Sequence, residues 1–385
     1  GAAALTLPRR ARRWRALQRE RVAHALLLEG MAQQLAGRYL RGRKAAEAAL
    51  AHTGVDEAAA RGLDAGDAAS AAMLSSLAHL LAAESAHALQ DQATRDTHLT
   101  AALQTGAKSG LPPEVREGIT LRAAYWALHD RDPEAALTRL AELPVGAVRR
   151  AAALRLKLMA AQKTGRHAEA LETARLLAKH RAFSPAAAAS LIRGLTGDLI
   201  ASVHDPQQLQ TIWQSLNPNE RAMPDLALRA AQRLVALGGD AYQARLWLRA
   251  PLAALLDHPD VFDIRQRARL IGALERSFER SSEQAIDPEW LARIEAAQTA
   301  HPADATLQYL TGMVCLHREL WGKAKALLTQ AARGLDGRIA ADGADAPDPE
   351  IAALRRRAWR ALATLAEREG DAATAAQAWR QAGRG

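Results

Sequence analysis

The residues of this chain that could do chemistry are its histidines and its one cysteine. The sequence contains 12 histidines and a single cysteine, Cys315. Cys315 lies two residues before His317, and side chains two apart on a helix point in different directions, so one metal ion could not readily bind both. His79 and His87 are eight residues apart, about 12 Å along a helix, which is also too far for ligands of one metal. We therefore predict no metal site, and we interpret Cys315 as a buried thiol inside a helical hairpin.

Motifs of the common cofactor-dependent and nucleotide-dependent enzymes are missing from the sequence. It contains no Gly-x-Gly-x-x-Gly after a strand, no Walker A sequence, no His-Glu-x-x-His and no Gly-x-Ser-x-Gly. We therefore predict that the protein is not an enzyme and has no catalytic residues. We expect no resident cofactor, although haem or a porphyrin could still bind as a ligand.

The composition favours helices and a negatively charged partner. Ala, Leu and Arg are abundant and aromatic residues make up only 4% of the chain, which is typical of helical proteins. The formal net charge of +9 suits an acidic protein, an anionic membrane surface or nucleic acid. The basic residues are spread along the chain without a recognisable nucleic-acid-binding module, so we do not expect nucleic acid as a partner.

Small and large apolar residues recur at the spacing of tetratricopeptide repeats, which pair two antiparallel helices in 34 residues. The best match comprises Trp359, Leu362, Ala363, Gly370, Asp371, Ala375, Trp379 and Ala382. Further units span residues 312–331, 154–174 and 124–140, and weaker ones surround turns at Gly37, Asp91 and Gly238. Residues 186–216 and 262–300 lack the small-residue pattern and are interpreted as degenerate hairpins. The sequence thus predicts an all-α, tetratricopeptide-like superhelical solenoid of eight or nine hairpins, with Trp359 and Trp379 buried between hairpins.

Composition and the positions of helix-breaking Pro and Gly residues divide the chain into five predicted segments. These are a basic juxtamembrane segment at 1–21, N-terminal hairpins at 22–110, a solenoid at 111–333, a mobile loop at 334–349 and a C-terminal unit at 350–385. The loop from Gly334 to Pro349 is predicted from its Gly, Asp, Ala and Pro content. A second loop is predicted over Val55–Ala72 for the same reason.

The first helices of the predicted hairpins carry a set of basic residues. In such solenoids the first helix of each hairpin lines the concave face. Placing the units in register puts eight residues on or near that face: His129, Arg155, Lys163, Arg229, Arg233, His317, Arg360 and Arg368. A basic groove of this kind would suit an acidic peptide or the propionates of a porphyrin. The alternative is that these residues only reflect the scattered surface arginines expected at this composition.

The start of the chain is strongly basic. Residues 8–21 contain seven arginines and one glutamate, and Trp14 and Leu17 fall on one face of a helix. Such a segment suits an anionic membrane surface, and the alternative is a solvated helix. The candidate membrane-proximal residues are Arg9, Arg10, Arg12, Arg13, Trp14 and Arg15.

Two N-terminal hairpins carry a set of motifs in a defined order: Leu26-Leu27, Gly30, Gly37 and Tyr39, then Ala82-Ala83-Glu84-Ser85-Ala86 and Arg95-Asp96. In this order the motifs resemble those of the HemY family of proteobacteria. Members have two N-terminal transmembrane helices, an Arg-rich stretch and tetratricopeptide units, and the resemblance covers most of this chain. It implies a membrane-anchored scaffold in late haem (protoporphyrin) biosynthesis whose partners are proteins, including enzymes of that pathway. It supplies no catalytic residues.

The resemblance also implies a location. The family's transmembrane pair is absent here, so we expect this chain to be a soluble piece that begins after the second span. Because positively charged loops stay in the cytoplasm, the arginines of residues 8–21 predict a protein of the bacterial inner membrane whose solenoid faces the cytoplasm. The alternative function is a haem or porphyrin carrier that holds its ligand in the basic groove.

Overall fold

The computed structural model describes residues 2–53, 65–108, 111–279, 288–342 and 348–384. All regular structure in these ranges is helical, without a strand. The chain forms two compact units, Gly1–Ile192 and Arg193–Gly385, called unit 1 and unit 2 below. The sequence did not predict this division, which falls within the segment 111–333.

The described residues of unit 1 form nine helices and the start of a tenth. They are α1 (Ala2–Leu35), α2 (Tyr39–Leu50), α3 (Ala65–Ala88), α4 (Gln92–Lys108), α5 (Pro113–His129), α6 (Pro133–Ala141), α7 (Val145–Val148), α8 (Ala151–Lys163) and α9 (His167–Lys179). Helix α10 (Pro185–Ser202) contains the boundary between the units.

Where the structure describes unit 2, it continues with ten helices and one 3₁₀ turn, Pro259–Val261. The helices are α11 (Pro206–Ser215), α12 (Pro218–Arg221), α13 (Pro224–Ala236), α14 (Ala241–Asp257), α15 (Ile264–Glu279), α16 (Pro288–Ala300), α17 (Ala305–His317), α18 (Trp321–Asp342), α19 (Pro349–Arg368) and α20 (Ala372–Ala382).

Among the described residues, eight connections between successive helices contain the same kind of short turn. One residue in each turn has a positive φ, which stops the first helix and reverses the chain. Glycine fills this position four times, at Gly37, Gly165, Gly238 and Gly370, and another residue four times, at Gln90, Arg131, Arg181 and Glu319. Aspartates then begin many of the helices, as where Asp132 accepts a hydrogen bond from the Ala135 amide at 2.9 Å.

The two helices of a hairpin pack closely where both carry small residues. Gly30 of α1 faces Gly42 of α2, and a Cβ added to Gly30 would lie 3.2 Å from the Gly42 carbonyl oxygen. Ala124 and Ala136 hold the equivalent positions in α5 and α6 and are fully buried. These contacts bear out the predicted small-residue spacing, and the prediction of an all-α, tetratricopeptide-like fold is confirmed.

The two stretches predicted as degenerate hairpins are irregular in the structure. Residues 186–216 contain α10 and α11, and α11 packs against α13. Residues 262–300 contain α15 and α16, and α15 packs against four helices, α13, α14, α17 and α19. The connection at residues 280–287 lies outside the described residues.

Both predicted loops were partly wrong. Helix α18 continues to Asp342, through most of the predicted loop 334–349, because Leu335 is fully buried and Asp336 binds the side chains of Arg355 and Trp359 in α19. Helix α3 begins at Ala65, inside the predicted loop Val55–Ala72. Residues 343–347 and 54–64 lie outside the described residues.

The two tryptophans predicted to be buried differ from that expectation. Trp359 is half-buried and donates a hydrogen bond to Asp336 at 3.2 Å. The prediction for Trp379 is wrong, since 43% of this residue is exposed. Within the described part of the chain no further helix covers that side of α20, and the indole nitrogen donates to Glu367 at 2.7 Å.

The close contact at Gly30 gives a direct test of the packing. A Cβ there would lie 2.8 Å from Leu81 Cδ2, whereas a Cβ at Gly118 in α5 would meet nothing within 4 Å. We expect Gly30→Val to destabilise unit 1 by about 1–3 kcal/mol, because the core must move to accept it.

The matched control is Gly118→Ala, which should stabilise the same unit by about 0.5–1 kcal/mol through helix propensity. Urea denaturation of each variant measures both changes. A Gly30→Val protein as stable as the parent would show that α1 and α2 do not pack this closely.

Candidate partner-binding surface

The first helices of the hairpins form a continuous layer in unit 1. Helix α1 packs against α3, α3 against α5, and α5 against α8. The second helices α2, α4, α6 and α9 pack against these first helices. Five exposed side chains of α5 and α8 define what we call the first-helix face of unit 1: Tyr125, His129, Arg155, Met159 and Lys163.

A cluster of aromatic and imidazole rings occupies the centre of the face. The rings of His87 in α3 and His129 in α5 meet edge to face with centroids 5.0 Å apart. Tyr125 lies 6.4 Å from both rings and is 42% exposed. Trp126, which is buried, packs 5.6 Å from His87.

The ionic groups around this cluster are paired with one another. The buried guanidinium of Arg95 binds both carboxylate oxygens of Asp130, at 3.0 and 2.5 Å. Glu84 accepts from Arg122 at 2.6 Å and from the Gln34 amide at 2.9 Å. Because each carboxylate is matched by a cation, the centre of the face is close to neutral rather than basic.

The imidazole of His87 stays uncharged at neutral pH. Burial lowers its pKa first, followed by the nearby Arg95 cation and His129, against a smaller opposing effect of Asp130 and Glu84. A neutral imidazole beside Tyr125 can donate or accept hydrogen bonds and can pack against apolar groups. This part of the face therefore suits a partner with apolar or aromatic side chains.

The basic residues predicted in unit 1 flank this centre. His129 is exposed and belongs to the ring cluster, while Arg155 and Lys163 are exposed on α8. Met159, which is 46% exposed, lies between them in the sequence of the same helix. The structure thus keeps the three predicted residues of unit 1 on first helices, next to apolar side chains.

In unit 2 some predicted groove residues have structural partners. Arg233 donates from Nε and Nη2 to the Val203 carbonyl, at 2.9 and 2.5 Å, so it caps the end of α10. The guanidinium of Arg229 lies against Gly197, where an added Cβ would be 2.6 Å from Nη1. Arg233 is thus engaged in a contact within the fold, while Arg229 remains exposed.

The other three predicted residues of unit 2 lie on α17 and α19. His317 and Arg360 are exposed, and Arg368 places its guanidinium 4.8 Å from the centroid of the Trp321 ring. Helix α19 also packs against α15, where Arg357 binds Glu275 at 2.9 Å. Within unit 2 the predicted residues do not converge on one described site.

Sequence reasoning missed Tyr125, Met159 and His87 as components of the face. Tyr125 and Met159 lie four residues before His129 and Lys163, one helical turn away on the same side. The search for basic residues passed over them because they are uncharged. His87 was considered only as a metal ligand.

The candidate membrane-proximal residues lie in the first half of α1. The side chains of Arg9, Arg10, Arg12 and Arg13 lie outside the described residues, while Trp14 and Arg15 are exposed, Trp14 by 63%. Among the helices that the structure describes, none combines the length and apolar character needed to cross a bilayer.

The candidate metal and thiol residues show no metal geometry. Cys315 is buried, as predicted, and burial raises the pKa of its thiol. In the described ranges no three histidine, cysteine or acidic side chains are arranged to hold a metal ion. His79 instead pairs with His98 of α4, with 3.0 Å between their Nδ1 atoms.

Comparison with known proteins gives no family assignment. No family model matches the chain, and no curated protein matches it. The resemblance to HemY therefore rests on the sequence motifs alone.

Two solved structures share a general likeness. One is Naa15/Naa10 bound to HypK-THB, with 14% identity, a TM-score of 0.29, and coverage of 92% of this chain and 57% of that one. The chain thus spans a little over half of its length. The other is the P58(IPK) TPR domain, with 14% identity, a TM-score of 0.22, and coverage of 89% of this chain and 98% of that one.

The His79–His98 pair predicts how unit 1 responds to acid. Burial and the nearby His98 lower the pKa of His79 from 6.5 to about 4. Since the folded pKa lies below the unfolded one, the pair's stabilisation is complete above pH 6.5 and is lost as the pH falls towards about 4. We expect His79→Gln to reduce the acid-induced loss of stability by about 1 kcal/mol, a figure that allows for partial solvent screening.

Urea denaturation at about pH 7 and about pH 5 measures this loss. The control is His180→Gln, which replaces an exposed histidine of unit 1 outside the pair and should keep the parent's pH dependence. If the His79→Gln variant lost as much stability between these two pH values as the parent does, the pair would not be a source of acid sensitivity.

Proposed function

We propose that this protein is a non-catalytic scaffold that binds protein partners through the first-helix faces of its hairpins. The observation that carries the proposal is the exposed set of Tyr125, His129, Met159 and Lys163 on two neighbouring first helices. Exposed aromatic and Met side chains flanked by cations are typical of surfaces that bind peptide segments.

The proposed partner segment combines apolar and acidic side chains. Apolar or aromatic groups would contact Tyr125, Met159 and the neutral His87. Acidic groups would meet Arg155 and Lys163, which extend the same face along α8. The proposed binding surface differs from the wholly basic groove predicted from sequence, because Glu84 and Asp130 neutralise Arg122 and Arg95.

The resemblance to HemY supports a more specific role. On that basis the scaffold acts in late haem biosynthesis at the bacterial inner membrane, faces the cytoplasm and gathers enzymes of the pathway. The arginines at the start of α1 would contact anionic lipid, where each basic residue contributes about 1 kcal/mol.

A haem or porphyrin carrier is the second candidate. Tyr125, His87 and His129 offer an aromatic surface to a flat macrocycle. Arg122, Tyr125 and His129 follow one another at intervals of about one helical turn on α5. Titration with haem distinguishes the candidates, since a carrier would give a saturable Soret shift that His129→Ala weakens. A scaffold would give neither.

The charges of α8 provide the test of the leading proposal. We expect the double substitution Arg155→Glu and Lys163→Glu to weaken binding of an acidic partner at least about tenfold, because two attractions become repulsions. Rising ionic strength should weaken the parent's binding in the same direction. Arg233 is left unchanged because it caps α10.

The matched control carries Arg139→Glu and Lys179→Glu, two charge reversals on the second helices α6 and α9. Binding to immobilised enzymes of late haem biosynthesis is measured for all three proteins, with circular dichroism to check folding. An equal loss of binding affinity in both double variants would show a general charge effect. Unchanged affinity in both would reject the first-helix face as the binding surface.

A further inference from the structure

An exposed apolar stripe runs along α1 with the spacing of a coiled-coil seam. Seven positions separated alternately by three and four residues are all exposed: Trp14, Leu17, Arg21, His24, Leu28, Met31 and Leu35. Five of them are large apolar residues, with exposed fractions of 63, 54, 66, 50 and 90%. Repetition every 3.5 residues is the pattern by which two helices pack knobs into holes.

The stripe is separate from the side of α1 that packs within its own hairpin. That side carries Ala23 and Leu27, which join the core formed with α2 and α3, and Gly30, which contacts Gly42 and Leu81. The stripe lies roughly 100° around the helix from this buried side. Helix α1 therefore presents two apolar sides, of which the hairpin covers one.

The shape of the stripe favours a helix as its occupant over a lipid surface. A helix that lies on a membrane has one broad apolar face and a polar face opposite. The stripe is narrow, Arg21 and His24 interrupt it at its centre, and another side of the helix is already apolar and buried. A narrow seam with a polar break is the pattern of paired helices, where polar positions set the register.

The stripe matches a second copy of itself in one antiparallel register. When Leu17 of one copy faces Leu28 of the other, Trp14 faces Met31, and the two polar positions, Arg21 and His24, face each other. The apolar layers then lie at both ends and the polar layers lie around the two-fold axis. We propose that two copies of this chain associate through antiparallel pairing of their α1 helices along this stripe.

Charge favours the antiparallel orientation. A parallel pair would set Arg15, Arg19 and Arg21 beside the same residues of the other copy, which is repulsive. In the antiparallel register Arg15 and Arg19 move away from their counterparts, toward opposite ends of the seam, and Arg21 faces His24 of the other copy instead of the same arginine. Covering the four apolar side chains that face each other in this register removes on the order of 400 Å² from water on each copy, which is in the range of a reversible interface of less than about 1,200 Å² in total.

Sedimentation of the chain over a range of concentrations tests the association. We expect a reversible monomer–dimer equilibrium in the parent and at least a tenfold weaker dimer for Leu28→Glu with Met31→Glu. Val261→Glu in unit 2, where Val261 is 78% exposed, is the control and should dimerise like the parent. A parent that is monomeric at every concentration overturns the proposal.

Disulfide trapping tests the register. Leu17→Cys and Leu28→Cys are made separately, and an equimolar mixture should form a crosslinked dimer on mild oxidation. Each variant alone should crosslink poorly, since in this register the two copies of either position lie about 16 Å apart along the seam. The natural Cys315 is buried and should not contribute.

Other crosslinking outcomes contradict the proposal. Efficient crosslinking of Leu17→Cys with itself would indicate a parallel pair. A monomeric parent that binds anionic vesicles through Leu28 and Met31 would assign the stripe to a membrane. Because this experiment involves neither Arg155 nor Lys163, its failure leaves the proposed partner-binding face untouched.

Discussion

The structure depends on the close approach of two helices at small residues within each hairpin. Gly30 contacts Gly42, and the pairs Ala124 with Ala136 and Ala363 with Ala375 are buried with the same spacing of twelve residues. A larger side chain at either position would separate the helices and rotate their outer surfaces. The same contact therefore fixes the core and decides which residues of each first helix remain available for binding.

One hairpin replaces the small residue with an arginine, and this links the core to the candidate surface. Arg95 stands where the other second helices carry glycine or alanine, and it is buried. Its guanidinium reaches Asp130 at the end of the next first helix and lies 5.8 Å from the Trp126 ring. Through these contacts it holds α5 in position, and with it Tyr125 and His129.

Local sequence signals predicted the fold well because tetratricopeptide packing is local. Glycines at 37, 165, 238 and 370 marked turns that the structure contains, and small-residue spacing identified the helix pairs. The same signals failed where a distant residue decides the structure. The extension of α18 depends on α19 through Asp336 and Arg355, whereas the Gly, Asp, Ala and Pro content of residues 334–349 indicated a loop.

The candidate site was less predictable for a related reason. Repeat register correctly placed His129, Arg155 and Lys163 on first helices, but it could not show which charges are already paired. Arg233 meets the Val203 carbonyl 30 residues earlier, and Glu84 neutralises Arg122 from another hairpin. The first-helix face was predicted from sequence to be basic, but its centre is largely neutral in the structure. Aromatic and imidazole rings are exposed there between paired charges.

The measurement that most directly tests this account is amide hydrogen exchange of the protein with and without a bound protein partner. The account predicts slower exchange on binding near the C-terminal ends of the first helices α5 and α8, around Tyr125 and Met159. The second helices α6 and α9 should exchange at the same rate in both states. Protection confined to α6 and α9 would contradict the account, because the partner would then occupy the opposite side of the hairpins.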